Sequence, residues 1–208
     1  EGLFGPNSTV YGSDAIGGVM SFQTLTPTFS VDENPYIKGK ALMRYSSANQ
    51  ENTAHFDINV GWKKWVMVTS VSTNKFDHLR QGSNGPVDYI KPYFVDRIDS
   101  QDVVIQQEDP LLQVPSGYQQ INLMQKLKFA PNRHWSFEYA FHYSETSSYG
   151  RYDRHNRIKD GAPRYGQWDY GPQKWMMNLI TLSHLQKTFM YDQMSIRLAQ
   201  QSFEESRT

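Results

Sequence analysis

The sequence has no cysteine, no net charge and no long apolar run among its 208 residues. The lack of cysteine excludes a disulfide scaffold, a Cys-ligated zinc site and a cysteine nucleophile. Because 21 basic residues balance 21 acidic ones, nothing in the charge indicates a nucleic-acid partner. The longest purely apolar runs are a few residues, such as Trp65 to Val68, whereas a membrane-spanning helix needs about 20. Spanning helices are therefore excluded.

Aromatic residues, in contrast, are abundant. They make up 14% of the chain although the mean hydropathy is only −0.67. This combination leaves two classes, a soluble protein or a membrane β-barrel, whose strands are apolar on one face only. The aromatic content favours the barrel.

Strict alternation of apolar and polar residues predicts β-strands. Between Ala54 and Trp62 every even position is apolar and every odd position is polar or glycine. Globular strands usually have about 5–6 residues, and a tilted strand that crosses a membrane needs about 9–11. The longer segments here favour an antiparallel transmembrane barrel with all-β structure. Two further segments, Trp65–Phe76 and Trp175–Gln186, alternate less well but are long and apolar enough to be strands. Seven strands are therefore predicted, at Ile37–Ser46, Ala54–Trp62, Trp65–Phe76, Gln119–Phe129, Trp135–Ser144, Trp175–Gln186 and Met190–Gln201.

The connections between these strands alternate between short and long. Short turns are predicted at Lys63–Lys64, at Pro131–Asn132 and around Thr188. Outer-membrane barrels have short periplasmic turns and long extracellular loops, so the alternation also predicts that the first strand runs outward. The longer connections are Ser47 to Thr53, Asp77 to Ser116 and Ser147 to Gly171.

Aromatic residues lie near both ends of the predicted strands. Belts of Trp and Tyr at both interfaces are typical of membrane barrels, although aromatics are also common in strands generally. We favour belts because the loop alternation supports them independently. The residues are Trp62, Trp65 and Trp135 near the short turns, and Tyr45, Tyr143 and Tyr149 near the other end.

The N-terminal segment has a different pattern. Gly5-Pro6-Asn7 predicts a turn, residues 9–15 a short helix begun by Ser8, and residues 19–24 a short strand. The segment closely resembles the end of the plug domain of TonB-dependent outer-membrane receptors. The residues that carry this resemblance are Gly5, Pro6, Ser8, Tyr11, Gly12, Ser13, Ala15, Ile16, Gly17, Gly18, Val19 and Thr24.

The resemblance implies a domain division. Residues 1–26 would be the end of a plug, 27–36 a linker, and 37–208 the N-terminal part of a transmembrane β-barrel. The family implies a barrel of about 22 strands, so we expect both chain ends to be cut. Seven strands would form an open, curved sheet whose free edges are untenable in lipid, and we expect this piece not to fold stably alone.

The resemblance also implies a function. Members of this family import scarce nutrients across the cell outer membrane of Gram-negative bacteria, drawing energy from the TonB complex through a motif that would lie upstream. Outer-membrane lipid and lipopolysaccharide would be further partners, and no bound cofactor is expected. A weaker resemblance, to receptors for haem, haemoprotein or other iron complexes, rests on residues 77–80, 117–118, 151–154, 170–175 and 203–207.

Several polar residues are candidates for contact with an iron-complex, siderophore or haem ligand. Imidazole is a good iron ligand, which makes His78, His155 and His142 candidates; the alternative is that they are solvated. A basic and aromatic cluster in the last long loop suits an anionic ligand, or else its arginines pair with Asp153, Asp160 and Asp169. The cluster comprises Arg151, Tyr152, Arg154, Arg157, Arg164, Tyr165 and Trp168.

Other polar residues are predicted to face the barrel lumen. We expect most of them to contact plug or water rather than ligand. They are Lys38, Lys40, Arg44, His55, Asp57, Asn59, Lys126, Lys128, Glu138 and His142.

No catalytic motif is apparent, so the chain is not expected to be an enzyme. There is no Gly-x-Ser-x-Gly, no Walker sequence and no zinc-type histidine spacing. Alternatives to an energised iron-complex importer are a passive porin or adhesin-type barrel, an outer-membrane lipase or protease, and import of cobalamin or oligosaccharide by the same family.

Overall fold

The computed structural model describes residues 2–5, 12, 17–20, 22–155 and 157–207. Over these residues the fold is all-β, with a 3-10 helix at Val87–Tyr89 and one four-residue helix, α1, at Tyr152–His155. The strands are β1 (Gly2–Phe4), β2 (Gly18–Met20), β3 (Tyr36–Ser46), β4 (Glu51–Gly61), β5 (Trp65–Phe76), β6 (Leu79–Arg80), β7 (Tyr93–Ile98), β8 (Gln101–Gln106), β9 (Leu112–Gln113), β10 (Tyr118–Phe129), β11 (Trp135–Thr146), β12 (Tyr149–Gly150), β13 (Ile158–Lys159), β14 (Ala162–Pro163), β15 (Asp169–His184) and β16 (Met194–Arg207).

One large antiparallel sheet dominates the molecule. Seven long strands pair as neighbours along the chain, in the order β3-β4-β5-β10-β11-β15-β16, and β12 continues the line of β11 beside β15. All seven predicted strands are therefore present. The sheet is open, because β3 and β16 each pair on one side only within the described residues.

The predicted bounds of three strands were wrong by three residues or more, while those of the other four agree to within two residues. β4 begins at Glu51, so the connection before it is a four-residue turn. β15 begins at Asp169, six residues before the expected start. β16 runs from Met194 to Arg207, because Thr188 and Tyr191 hydrogen bond to each other in the preceding turn and Phe203 to Arg207 pair with β15. Cross-strand pairing extends these strands into polar sequence where alternation gives no signal.

The two faces of this sheet are covered differently. Directly paired residues share a face, so register assigns each side chain to one side. One face carries the apolar residues of the alternating pattern, and Ile180 and Leu198 on it are 54% and 65% exposed. On the opposite face, Val66 and Val68 are 0% and 1% exposed. The buried cluster of the chain thus lies on the polar face.

The segment that precedes β3 covers part of the polar face. Phe29 packs against the cluster formed by Val66, Val68 and Met124. The Asn59 side chain accepts a hydrogen bond from the Thr28 amide and donates one to its carbonyl, both at 2.9 Å. A Cβ on Gly61 would overlap the Thr28 carbonyl oxygen, so this close approach requires glycine. The predicted linker is therefore fixed against the sheet.

A row of rings runs along the apolar face at the end with the short turns. Trp65 stacks on Phe129 with ring centroids 4.2 Å apart, and Trp135 stacks on His184 at the same distance. Phe137 lies between these pairs, 6.3 Å from Phe129 and 6.4 Å from Trp135. The aromatic residues predicted near the short turns thus include members of one continuous row.

The described part of the N-terminal segment contains a small two-stranded antiparallel sheet. β1 pairs with β2, with Leu3 opposite Val19. The strand predicted at residues 19–24 instead ends at Met20, because its pairing with β1 stops there and residues 22–24 have no regular structure. Gly5, Gly12, Gly17, Gly18, Val19 and Thr24 of the motif are described, whereas Pro6, Ser8, Tyr11, Ser13, Ala15 and Ile16 lie outside the described residues. Of the helix predicted at residues 9–15 only Gly12 is described, and its φ of 97° does not fit a right-handed helix.

Candidate ligand-binding site

The two longest connections leave the same end of the sheet, opposite the short turns. The last residue of β5, Phe76, pairs with Tyr118 at the start of β10, and Thr146 at the end of β11 pairs with Gln120. The first connection contains two short antiparallel pairs, β6 with β9 and β7 with β8, and the second contains one, β13 with β14. Both of the predicted long connections therefore contain short strands of their own.

These two connections pack closely against each other. A Cβ on Gly150 would overlap the ring of Pro115, and a Cβ on Gly166 would overlap the Asp102 carboxylate. Between them is a cavity of about 560 Å³ that both connections line, within the range of small-molecule sites. Its lining residues are His78, Phe94, Val95, Asp96, Arg97, Val114, Pro115, His155, Gly166, Gln167 and Asp169.

His78 lines this cavity, and one of its ring nitrogens is hydrogen bonded to the backbone. Its Nδ1 accepts hydrogen bonds from the amides of Ser116 and Gly117, both at 3.1 Å. An acceptor nitrogen carries no proton, so the other nitrogen, Nε2, carries it in the neutral ring.

His155 lines the same cavity and is only 7% exposed. Its Nε2 accepts a hydrogen bond from the Trp168 amide at 3.3 Å and lies 3.9 Å from an Asp169 carboxylate oxygen. Burial lowers the pKa of His155, against the opposing effect of Asp169, so the ring is held neutral near pH 7. Its Nδ1 is buried and has no hydrogen-bond partner among the described residues.

Arg151 is paired within its own loop. Its guanidinium donates to both carboxylate oxygens of Asp153, at 2.8 and 2.6 Å, and to the Tyr170 hydroxyl at 2.9 Å. The hydrogen bond from Arg151 holds the pKa of Asp153 below its usual value. For Arg151 the structure thus shows the pairing with Asp153 that was the alternative to ligand binding.

Arg154 and Tyr152 belong to the same predicted cluster as Arg151. Arg154 lies over the Trp168 ring at 5.1 Å and 3.7 Å from Asp153, while its buried Nε has no hydrogen-bond partner within the described chain. Tyr152 begins α1. Arg151, Tyr152 and Arg154 are not among the residues that line the cavity.

His142 is placed apart from the loop cavity. It lies within β11 on the polar face, opposite Met124 and Met177, with its ring 6.0 Å from that of Trp175. The structure therefore brings together two of the three predicted histidines, His78 and His155, and leaves the third on the sheet.

A serine, a histidine and an aspartate are hydrogen bonded on the polar face, an arrangement that sequence analysis missed. His55 Nδ1 lies 2.7 Å from Ser72 Oγ, and its Nε2 lies 2.9 Å from an Asp57 carboxylate oxygen. Ser72 is on β5, whose backbone is paired with β4 and β10 on its two sides. The backbone amides beside Ser72 are hydrogen bonded to these two strands. They are therefore not available as oxyanion donors for a reaction at Ser72.

The cavity residues Asp96, Arg97 and Gln167 were not predicted from the sequence, and Asp169 was named there only as a partner of the loop arginines. Within the described part of the chain, no cluster of three or more His, Asp or Glu side chains is positioned to hold a metal ion. No described helix is long and apolar enough to cross a membrane. No protein-family model, curated protein or solved structure matches the chain.

Proposed function

We propose that this chain is part of an outer-membrane β-barrel receptor that imports a scarce nutrient, such as haem or another iron complex, with energy supplied through TonB. The observation that carries the proposal is that the sheet is exposed on its apolar face and packed on its polar face, the reverse of a soluble protein. Its apolar face is exposed while its polar face holds the buried cluster and the linker. This is the arrangement that a barrel in lipid requires, with its apolar band outside.

Polar groups on the apolar face give further support. Thr69 donates to Gln125 at 2.7 Å, and Asn178 accepts from the Tyr139 hydroxyl at 2.7 Å while donating to Gln200 at 2.8 Å. In a bilayer, polar side chains without water need such partners. The aromatic row beside the short turns also has the position expected of an interfacial belt.

The loop cavity is the proposed point of contact with the nutrient. It lies at the end of the sheet that would face the outside, and two separate connections build it. The resemblance of residues 5–24 to a plug end is the reason to propose an energised importer and not a passive pore.

Uptake measurements test this function in cells. Strains that carry or lack the gene for the full-length protein would be given radiolabelled ferric haem or a ferric siderophore, with and without a protonophore. We expect uptake that requires the gene and stops when the proton-motive force is dissipated. Gene-dependent uptake that continues after dissipation would indicate a passive pore and overturn the proposal.

A further inference from the structure

The turn between β15 and β16 is longer than the other turns at its end of the sheet. It comprises residues 185–193, whereas residues 62–64 and 130–134 make the other two. Two adjacent apolar side chains of this turn meet solvent, with Phe189 97% and Met190 75% exposed. Adjacent exposed apolar side chains mark a surface that another molecule covers.

Hydrogen bonds fix the backbone at the tip of this turn. The Thr188 hydroxyl oxygen accepts from the amides of Met190 and Tyr191, at 3.2 and 3.1 Å, and the Thr188 amide donates to the Tyr191 carbonyl at 2.7 Å. The Leu185 amide donates to the His134 carbonyl in the neighbouring turn at 2.9 Å. These backbone amides have partners inside the protein, so they do not need water.

The turn lies against the apolar face of the sheet. His184 is on this face because it pairs with Trp135, and the two rings stack at 4.2 Å. The Tyr191 ring meets the His184 ring edge-on with centroids 5.7 Å apart, and the Tyr191 hydroxyl lies 2.9 Å from His184 Nδ1. His184 is only 6% exposed between these two rings. Phe189 and Met190 thus directly precede a residue that extends the aromatic row.

A charged pair in the same turn limits how deep it can lie in a bilayer. Lys187 Nζ is 3.2 Å from an Asp192 carboxylate oxygen, and the two side chains are 82% and 80% exposed. Charged ends stay at the water boundary, and Trp and Tyr rings lie at the level of the lipid headgroups. A protein partner would also cover Phe189, but the continuity of the turn with Trp135 and Tyr191 favours lipid.

We propose that the turn at residues 185–193 is a lipid anchor, in which Phe189 and Met190 insert into the periplasmic leaflet at the boundary between phospholipid headgroups and acyl chains. The inference rests on the proposed function, because it takes the apolar face to lie in a bilayer and the short turns to be periplasmic. Such an anchor sets the height of β15 and β16 in the membrane.

Spin labels on single cysteines test where the turn lies. The 208 residues contain no cysteine, so Phe189→Cys and Met190→Cys can be labelled in the full-length protein once any cysteine outside them is replaced with serine. Ile180→Cys, on the apolar face, is the reference for lipid. Val87→Cys is the matched control, because Val87 is apolar and 77% exposed but lies in a long connection at the other end of the sheet.

Electron paramagnetic resonance would measure collisions of each label with oxygen, which concentrates in lipid, and with a nickel chelate that stays in water. The proteins would be in vesicles of phosphatidylethanolamine and phosphatidylglycerol, and circular dichroism would establish that each is folded. We expect the ratio of oxygen to nickel collisions to be severalfold higher at positions 189, 190 and 180 than at position 87.

Labels at 189 and 190 that match the label at 87 would overturn the inference. If the label at 180 is in lipid in that experiment, the proposed barrel survives and only the anchor fails. A label at 180 that collides with nickel as often as the label at 87 would overturn the assignment of the apolar face to lipid, and the anchor with it.

Discussion

On one face of the main sheet Ile180 and Leu198 are more than half exposed, while on the other Val66 and Val68 are almost completely buried. In a soluble protein the apolar face of an antiparallel sheet packs on the core and the polar face meets water. Here the polar face carries the packed segment, through Phe29 and the Asn59–Thr28 hydrogen bonds. The packing that stabilises the described part of this sheet is therefore on its polar face.

The largest expected effect comes from placing a charge on the apolar face. Ile180→Arg should destabilise the full-length protein in phospholipid vesicles by about 2–4 kcal/mol, because that face would meet lipid. Thr181→Arg is the matched control, since Thr181 lies on the other face opposite Glu138. The free energies of unfolding would be measured by guanidinium titration. Equal effects of the two substitutions would contradict the proposed assignment of the faces.

A second substitution tests the polar face. Gly61→Ala places a methyl group where the Thr28 carbonyl lies, so either the linker or the strand must move. Overpacking of this kind costs about 1–3 kcal/mol. Gly82→Ala is the control, because its Cβ would have no described atom within 4 Å. Faster hydrogen exchange at residues 28–30 in Gly61→Ala alone would report release of the linker, and unchanged exchange would show that the close approach is unimportant.

Much of the sheet was predictable from sequence because alternation is a local signal. Most of the long strands repeat their apolar side chains every second residue, which is visible without knowing their neighbours. β5 and β15 alternate less well and were recognised by their length and apolar content. The polar stretch from Phe203 to Arg207 has no such signal, and it is a strand only because β15 pairs with it. Strand ends of this kind depend on partners distant in sequence.

The candidate site was less predictable for the same reason. His78 and His155 were chosen for their chemistry, and nothing in the sequence indicated that they share a cavity. Asp96 and Asp169 join them only because two separate connections pack together. Which ring nitrogen is free depends on backbone amides at Ser116, Gly117 and Trp168, which no sequence pattern reveals.

The smallest expected effect is a pH dependence confined to the loop end of the sheet. Burial lowers the pKa of His155, so the unfolded loop binds a proton more readily than the folded one, although Asp169 and Asp153 partly oppose this. The stabilisation from neutral His155 is therefore complete above about pH 6.5, the pKa of His155 in the unfolded chain, and is lost as the pH falls toward the lower pKa of the folded chain.

Hydrogen exchange at the Trp168 amide, corrected for its intrinsic rate, should be faster at pH 5.5 than at pH 7.5. The exchange at residues 28–30, on the polar face, should not change between these two pH values. His155→Asn should remove the pH dependence at Trp168, and a dependence that persists in this variant would assign it to another group.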